Sequence, residues 1–250
     1  MKPTTIRDND FSLGTWISSG SPVVAELAGQ FPFDWLLVDF EHGAASLAVL
    51  PEILRAVCRG NPAIIVRVPE LNAAVIARVL DWGADGIMLP HVSSAQEAID
   101  CVAAMRYPPV GRRGYSSTVR AYGYGMESPA DPQEVKPLCF VQIEDVTGVQ
   151  QADEIAAVDG VDILFVGPAD LRLSLRHQPS TGAINFDDAV RRVAEAAKTH
   201  GKKAGMLLRD RNSLDDIRSI GYVCVAIDSD LGILRTGYKS LFEWFKQIEI

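Results

Sequence analysis

The sequence has little of what would mark an exported, membrane-bound or nucleic-acid-binding chain. Its four cysteines, at positions 58, 101, 139 and 224 of 250, have no Cys-x-x-Cys spacing. They indicate neither a disulfide framework nor a zinc knuckle and read as buried, reduced thiols. Basic residues are outnumbered, 24 Lys and Arg against 32 Asp and Glu, for a formal net charge of -8. No basic run offers a polyanion a footprint, so no nucleic-acid partner is expected. No apolar run reaches the roughly 18 residues that span a bilayer, and Met1 to Asp10 has no apolar signal core, so a cytoplasmic protein without a membrane partner is expected. Gly-x-Gly-x-x-Gly and Walker-type loops are both missing, which removes the usual dinucleotide and nucleotide folds and leaves no organic cofactor to expect. Lysine is scarce as well. The seven, at 2, 136, 198, 202, 203, 239 and 246, fall in termini, helices or loop ends, so a Schiff-base lysine inside the fold is excluded.

What the chain does have is apolar residues, 48% of the total, in a repeating pattern. Strands are expected at Leu13 to Ser19, Trp35 to Phe40, Ala63 to Val68, Gly86 to Leu89, Leu138 to Ile143, Ile163 to Val166, Lys203 to Leu207 and Tyr222 to Ile227. Helices are expected after each: Pro22 to Gln30, Ala45 to Cys58, Asn72 to Trp82, Ser94 to Arg106, Val146 to Val158, Asn185 to His200, Ser213 to Ile220 and Asp230 to Gln247. The strands are continuously apolar, as when both faces of a parallel sheet are covered. Eight such units in one chain of this length point to a single α/β domain, 1–250, folded as a closed (β/α)8 TIM barrel. One connection, Tyr107 to Pro137, is far longer than the 2 to 6 residues usual in such units and is expected to serve function or assembly. Its Tyr122-Gly-Tyr-Gly125 run reads first as packing over a turn.

In a barrel of this kind the strand C-termini form the working rim. Strand 2 ends in Asp39-Phe40-Glu41-His42, strand 3 in Arg67, strand 5 in Glu144, and the strand-6 run is read as continuing to Asp170, while the last two strands end in Leu207 and Asp228 without evident chemistry. Glu144 and Asp170 lie twenty-six residues apart with one helix length between them, which would bring them to the same edge. Two ionised carboxylates there would repel unless a cation lay between them. Oxygen donors without cysteine favour a hard divalent ion, Mg, Mn or Co, over structural zinc. Such an ion can polarise the keto group of a 2-oxo acid. Arg67 would then be a fixed cation for the developing enolate, and His42 the proton carrier. His91, after strand 4, lies near enough to line the rim, whereas His177 and His200 read as solvated.

These residues resemble the HpcH/HpaI group of class II pyruvate-dependent aldolases. The matching stretches are Gly14-Thr-Trp16, Asp34 to His42, Val66-Arg-Val-Pro69, Leu80-Asp-Trp-Gly-Ala-Asp-Gly86, Arg106 to Gly114, Val141-Gln-Ile-Glu144 and Gly160 to Leu171. The resemblance implies a barrel of the phosphoenolpyruvate/pyruvate type. It implies metal ligation by Glu144 and Asp170, enolate stabilisation by Arg67 and acid/base work by His42. Asp39 and Asp81 would support that histidine or the incoming aldehyde, Asp81 from its own or a neighbouring subunit. Gly167, Pro168, Ala169 and Asp170, with Gln142, would hold the substrate carboxylate. A homo-oligomer, a trimer of dimers with the last helix exchanged, is also implied. Phe40 and the run Arg172-Leu-Ser-Leu-Arg-His-Gln178 depart from the usual pattern near the mouth, where acceptor choice is made. The expected reaction is reversible cleavage of a 4-hydroxy-2-oxo acid to pyruvate or hydroxypyruvate and an aldehyde, with oxaloacetate decarboxylation as a side activity. A malyl-CoA or citryl-CoA lyase and a non-catalytic 2-oxo acid binding barrel are the rival readings.

Overall fold

Each of the eight apolar runs forms a strand: β1 Ser12–Ile17, β2 Trp35–Asp39, β3 Ala63–Arg67, β4 Gly86–Leu89, β5 Leu138–Ile143, β6 Ile163–Val166, β7 Lys203–Leu208 and β8 Tyr222–Ser229. All neighbours pair in parallel, and β8 pairs back on β1 to close a barrel in chain order. The computed structural model describes residues 5–57, 62–178 and 183–248. The helices are α1 Thr5–Asp8, α2 Pro22–Ala28, α3 Leu50–Ala56, α4 Ala73–Asp81, α5 Ala95–Met105, α6 Val146–Gln150, α7 Ala152–Ala156, α8 Pro168–Arg176, α9 Phe186–Thr199, α10 Leu214–Ser219 and α11 Asp230–Lys246. Their starts carry the expected caps. Asn72 accepts the amides of Ala74 and Val75, and Ser94 accepts that of Glu97 while the Glu97 carboxylate takes the Ser93 amide.

Alternation along the strands fills the interior and also aims the chemistry. On β2, Leu36 and Val38 face the helices, whereas Trp35 and Leu37 belong to the interior cluster with Trp16, Ile65, Met88, Phe140, Ile163 and Phe165. Four of these are aromatics with ring centroids 5.5 to 6.3 Å apart, so the barrel is packed solid below its mouth. The next inward positions up the strands are Asp39 on β2, Arg67 on β3, and Gln142 then Glu144 at the end of β5. A period of two therefore lifts each polar group onto a floor of buried rings. Ile6 of α1 joins the interior cluster at the other end, and Arg7 grips Asp162 there at 2.7 and 2.9 Å.

The structure corrects several expected boundaries. The segment Val146 to Val158 is two short helices that meet at Gln151, whereas β6 ends at Val166 as expected. Pro168–Arg176 is helix α8, so Asp170 stands in a helical first turn and not at a strand end. Proline at the first helical position explains this, since its fixed φ suits a helix start and it cannot extend a central strand. Cys101, Cys139 and Cys224 are buried and unpaired; Cys58 lies outside the described residues. In the long connection Tyr107 and Tyr122 share a buried hydroxyl contact of 2.8 Å, with Arg113 over the Tyr107 ring at 4.7 Å, so Tyr122 packs over the turn while Tyr124 is exposed. Among the described residues no helix is long and apolar enough to cross a membrane.

Candidate active site

Register brings the central pair together. Asp39 and Arg67 are Cα partners across β2 and β3, and the guanidinium grips the carboxylate through two bonds, Nε to Oδ1 at 2.9 Å and Nη2 to Oδ2 at 2.7 Å. Nη1 lies 2.7 Å from Glu41 Oε2, and the guanidinium carbon is 5.6 Å from the Trp16 ring centre. Burial alone would lower the Arg67 pKa; the Asp39 hydrogen bond and the charges of Asp39, Glu41 and Glu144 outweigh it and raise the pKa instead. Arg67 is thus a permanent cation locked in one orientation.

The second half of the site is built on β5 and β6. Ile143 and Val166 are register partners, so the residues that follow, Glu144 and Gly167, are neighbours at the rim. Glu144 is 3% exposed, and burial pushes its carboxyl above the usual carboxylate range, with the His91 N–H pulling the other way. Its Oε1 accepts the His91 amide at 2.8 Å and faces the ring Nδ1 at 2.9 Å, while the Gln142 amide donates to Oε2. A Cβ at Gly167 would sit 2.3 Å from Glu144 Oε2, so only glycine leaves that carboxylate its place. Gly167 then caps α8, and the Ala169 and Asp170 amides precede the first helical bond, Leu171 N–H to Gly167 C=O, leaving two donors at a positive helix end.

One cavity of about 420 Å³ collects most of the expected residues: Asp39, His42, Arg67, Gln142, and Gly167 through Asp170, over Trp16 and Phe165. His42 is the open member, its side chain 65% exposed. Asp39 supports it through the main chain, accepting the His42 amide at 3.2 Å, while the imidazole Nε2 lies 3.9 Å from Glu41. Asp81 is not brought to this cavity by its own chain. It ends α4, whose C-terminus points away from the strand C-termini, and pairs there with Arg113 at 2.6 Å. Two participants went unassigned in the sequence. Glu41 and His91 form with Glu144 a set whose donor atoms lie within 4.8 Å of one another, and the signal for both was their place directly after strands 2 and 4. The end of β8 is also less bland than its sequence: buried Asp230 accepts the amides of Ser18 and Ser19 and fixes the loop after β1.

The donor set fits a hard divalent cation. Glu144 is an acid held in a dry cradle that a single methyl group would fill, Gln142 Oε1 beside it is buried without a partner, and no described cysteine reaches the rim. The sequence model of the HpcH/HpaI aldolase/citrate lyase family matches residues 12–236. The chain belongs to that family. It is 36% identical over 239 residues, 95% of this chain and 93% of the other, to the 5-keto-4-deoxy-D-glucarate aldolase of Enterobacter sp. (strain 638). Its fold matches the crystal structure of an HpcH/HpaI aldolase/citrate lyase family protein from Burkholderia cenocepacia J2315 with a TM-score of 0.89 at 31% identity, covering 97% of this chain and 98% of that one. An HpcH/HpaI aldolase from Desulfitobacterium hafniense DCB-2 matches with a TM-score of 0.87 at 25% identity, over 98% and 96% of the two chains. The HpcH/HpaI member described here is accordingly an enzyme, a metal-dependent class II aldolase that breaks a carbon-carbon bond of a 2-oxo acid.

The raised Glu144 carboxyl gives this aldolase a pH signature. A carboxyl whose folded pKa lies above its unfolded value supports folding fully when protonated, below the unfolded pKa, and that support is lost as pH rises through the folded one. A cation bound at the carboxylate removes the loss. Added Mn is therefore expected to raise the unfolding temperature more at about pH 7 than at about pH 5, read by calorimetry. Equal increments at the two pH values would mean that Glu144 is not where the ion binds.

Proposed function

We propose that this aldolase reversibly cleaves a 4-hydroxy-2-oxo acid of the sugar-acid type to pyruvate or hydroxypyruvate and an aldehyde. The observation that carries this is the convergence, on one rim cavity, of a locked arginine, an open histidine and a free helix start, with the buried Glu144 carboxylate against Gly167 of its lining. Glu144 and Asp170 would hold the divalent ion, Mg, Mn or Co. When bound, it supplies Lewis-acid polarisation of the keto group. The amides of Ala169 and Asp170, with the Gln142 side chain, receive the substrate carboxylate at the helix start. His42, directly or through water, takes the proton of the C4 hydroxyl; the C3–C4 bond breaks, its electron pair passes to the enolate, and the aldehyde leaves. Arg67 faces the enolate oxygen as a fixed cation and needs no reorganisation when the charge appears. A proton returned to C3 completes pyruvate. Oxaloacetate decarboxylation passes through the same enolate and is the expected side activity.

The test is pyruvate release from a panel of 4-hydroxy-2-oxo acids, before and after EDTA and after added Mn, Mg or Co. Activity lost with EDTA and restored by metal is expected. Turnover that ignores EDTA would sink the mechanism, and ion binding without turnover of any panel member would leave a binding barrel in its place.

The enzyme's own copies are its expected macromolecular partners. Helix α11 leaves Tyr238, Leu241, Phe242 and Trp244 more than half exposed along a helix that touches little but β1 and β8, an apolar face of the kind that docks on another subunit. A neighbouring subunit is also what would bring an Asp81 to a cavity its own chain does not offer it. Light scattering is expected to give an oligomer whose mass falls when Phe242 and Trp244 are both changed to Glu; a monomeric parent would refute the assembly.

A further inference from the structure

We infer that His91 is a positioning residue that fixes Glu144 in its cation-receiving pose and ties it, through Glu41, to Arg67. The inference rests on the reading of Glu144 as a metal ligand. Three observations carry it.

The first is the shape of the contact. The His91 ring lies between two carboxylates, Nδ1 at 2.9 Å from Glu144 Oε1 and Nε2 at 2.9 Å from Glu41 Oε1. Each carboxylate meets a different nitrogen on a different edge of the ring. In this arrangement the ring bridges the two side chains. Glu41 continues the chain of contacts to Arg67 at 2.7 Å, and Arg67 continues it to Asp39.

The second is the backbone. His91 has φ +53°, in the left-handed region that a residue with a Cβ rarely adopts. In that conformation the His91 amide and ring reach the same Glu144 Oε1, at 2.8 and 2.9 Å, so main chain and ring both grip one oxygen atom. The loop does not need this strain in order to stay in place. Val92 N–H already binds the Gln142 carbonyl at 3.0 Å, and the Ser93 hydroxyl already binds Asp145. An observed backbone outlier that the surrounding structure sustains, aimed at one atom of a candidate ligand, indicates function more than architecture.

The third is what Glu144 would do alone. It sits 1% exposed by side chain, with Gln142 on its other oxygen and Gly167 leaving room above it. Without the imidazole, Oε1 would keep only the His91 amide, and the carboxylate would be held by that amide and Gln142 alone. Partners that hold a ligand from behind typically change metal affinity by about 10 to 100-fold when removed.

The experiment compares the full-length parent with His91→Phe, which keeps a planar ring without donors, and His91→Gln, which restores a donor. Mn(II) affinity is measured by electron paramagnetic resonance without substrate, and unfolding is followed in the metal-free state. His91→Phe is expected to bind Mn about 10 to 100-fold more weakly while folding, with His91→Gln recovering at least part of the loss. Phe within about threefold of the parent would overturn the proposal. A nitrogen hyperfine coupling to Mn in the parent that vanishes in His91→Phe would overturn it too, by making His91 itself a ligand. Should His91→Phe fail to fold, the His91→Gln comparison and the parent's hyperfine spectrum decide alone. Glu144→Gln is the control on the underlying reading: if it leaves Mn affinity intact, the assignment of Glu144 as ligand fails, whatever His91 does.

Discussion

Arg67→Ala is expected to lower kcat/KM by about a thousandfold, the size of effect seen when one preorganised donor to a developing oxyanion is removed. The loss should fall mainly on kcat, because the guanidinium is aimed at charge that is complete only in the transition state. It should also have a structural cost. Asp39 is 4% exposed and takes two of the guanidinium's bonds, and the Glu41 side chain is 8% exposed beside it. Removing their cation leaves two carboxylates in a dry site, for which about 3 to 5 kcal/mol of destabilisation is typical. Arg67→Lys restores a charge but not a fork that can serve Asp39 and the substrate at once, so it should recover stability more than rate. Added guanidinium separates the two contributions: it should restore turnover to folded Arg67→Ala. Full-rate catalysis by that variant would remove Arg67 from the reaction.

The barrel was legible because its signal is strong and redundant. Eight continuously apolar runs alternate with helical segments, and one parity rule then sends Asp39, Arg67, Gln142 and Glu144 inward above Trp35, Ile65 and Phe140. What the sequence hid were matters of local geometry. Phe165 to Leu171 is apolar enough to pass for a longer strand, and only the proline at 168 marks the change to a helix, which moves Asp170 from a strand end to a helical turn. His91 was readable as a rim residue, but a single histidine after Pro90 carries no periodicity that would give it a role. Its importance comes from a positive φ that no composition rule announces. Asp81 is the opposite case: its motif is plain in the sequence, and within one chain it pairs with Arg113.

Glu144→Gln is the variant for which the largest change in metal dependence is expected. The amide keeps nearly the same shape, so the cradle formed with Gly167, Gln142 and His91 should survive, and the metal-free protein should fold without the cost of a buried charge. The ion loses an anionic oxygen from a site with few donors. Several kcal/mol of Lewis-acid stabilisation is at stake, equivalent to roughly 10³ to 10⁴ in turnover, and saturating Mn should restore only part of it. The increment in unfolding temperature that Mn gives the parent near neutral pH should disappear with the same substitution. Gly167→Ala offers the converse route to the same end. It leaves the carboxylate's charge untouched but places a methyl group where Oε2 now lies, so Mn affinity should fall with Glu144 still present. If both variants keep parental Mn affinity and EDTA-sensitive turnover, the ion sits elsewhere on the rim, and the set of Glu41, His91 and Glu144 ceases to be a candidate for organising it.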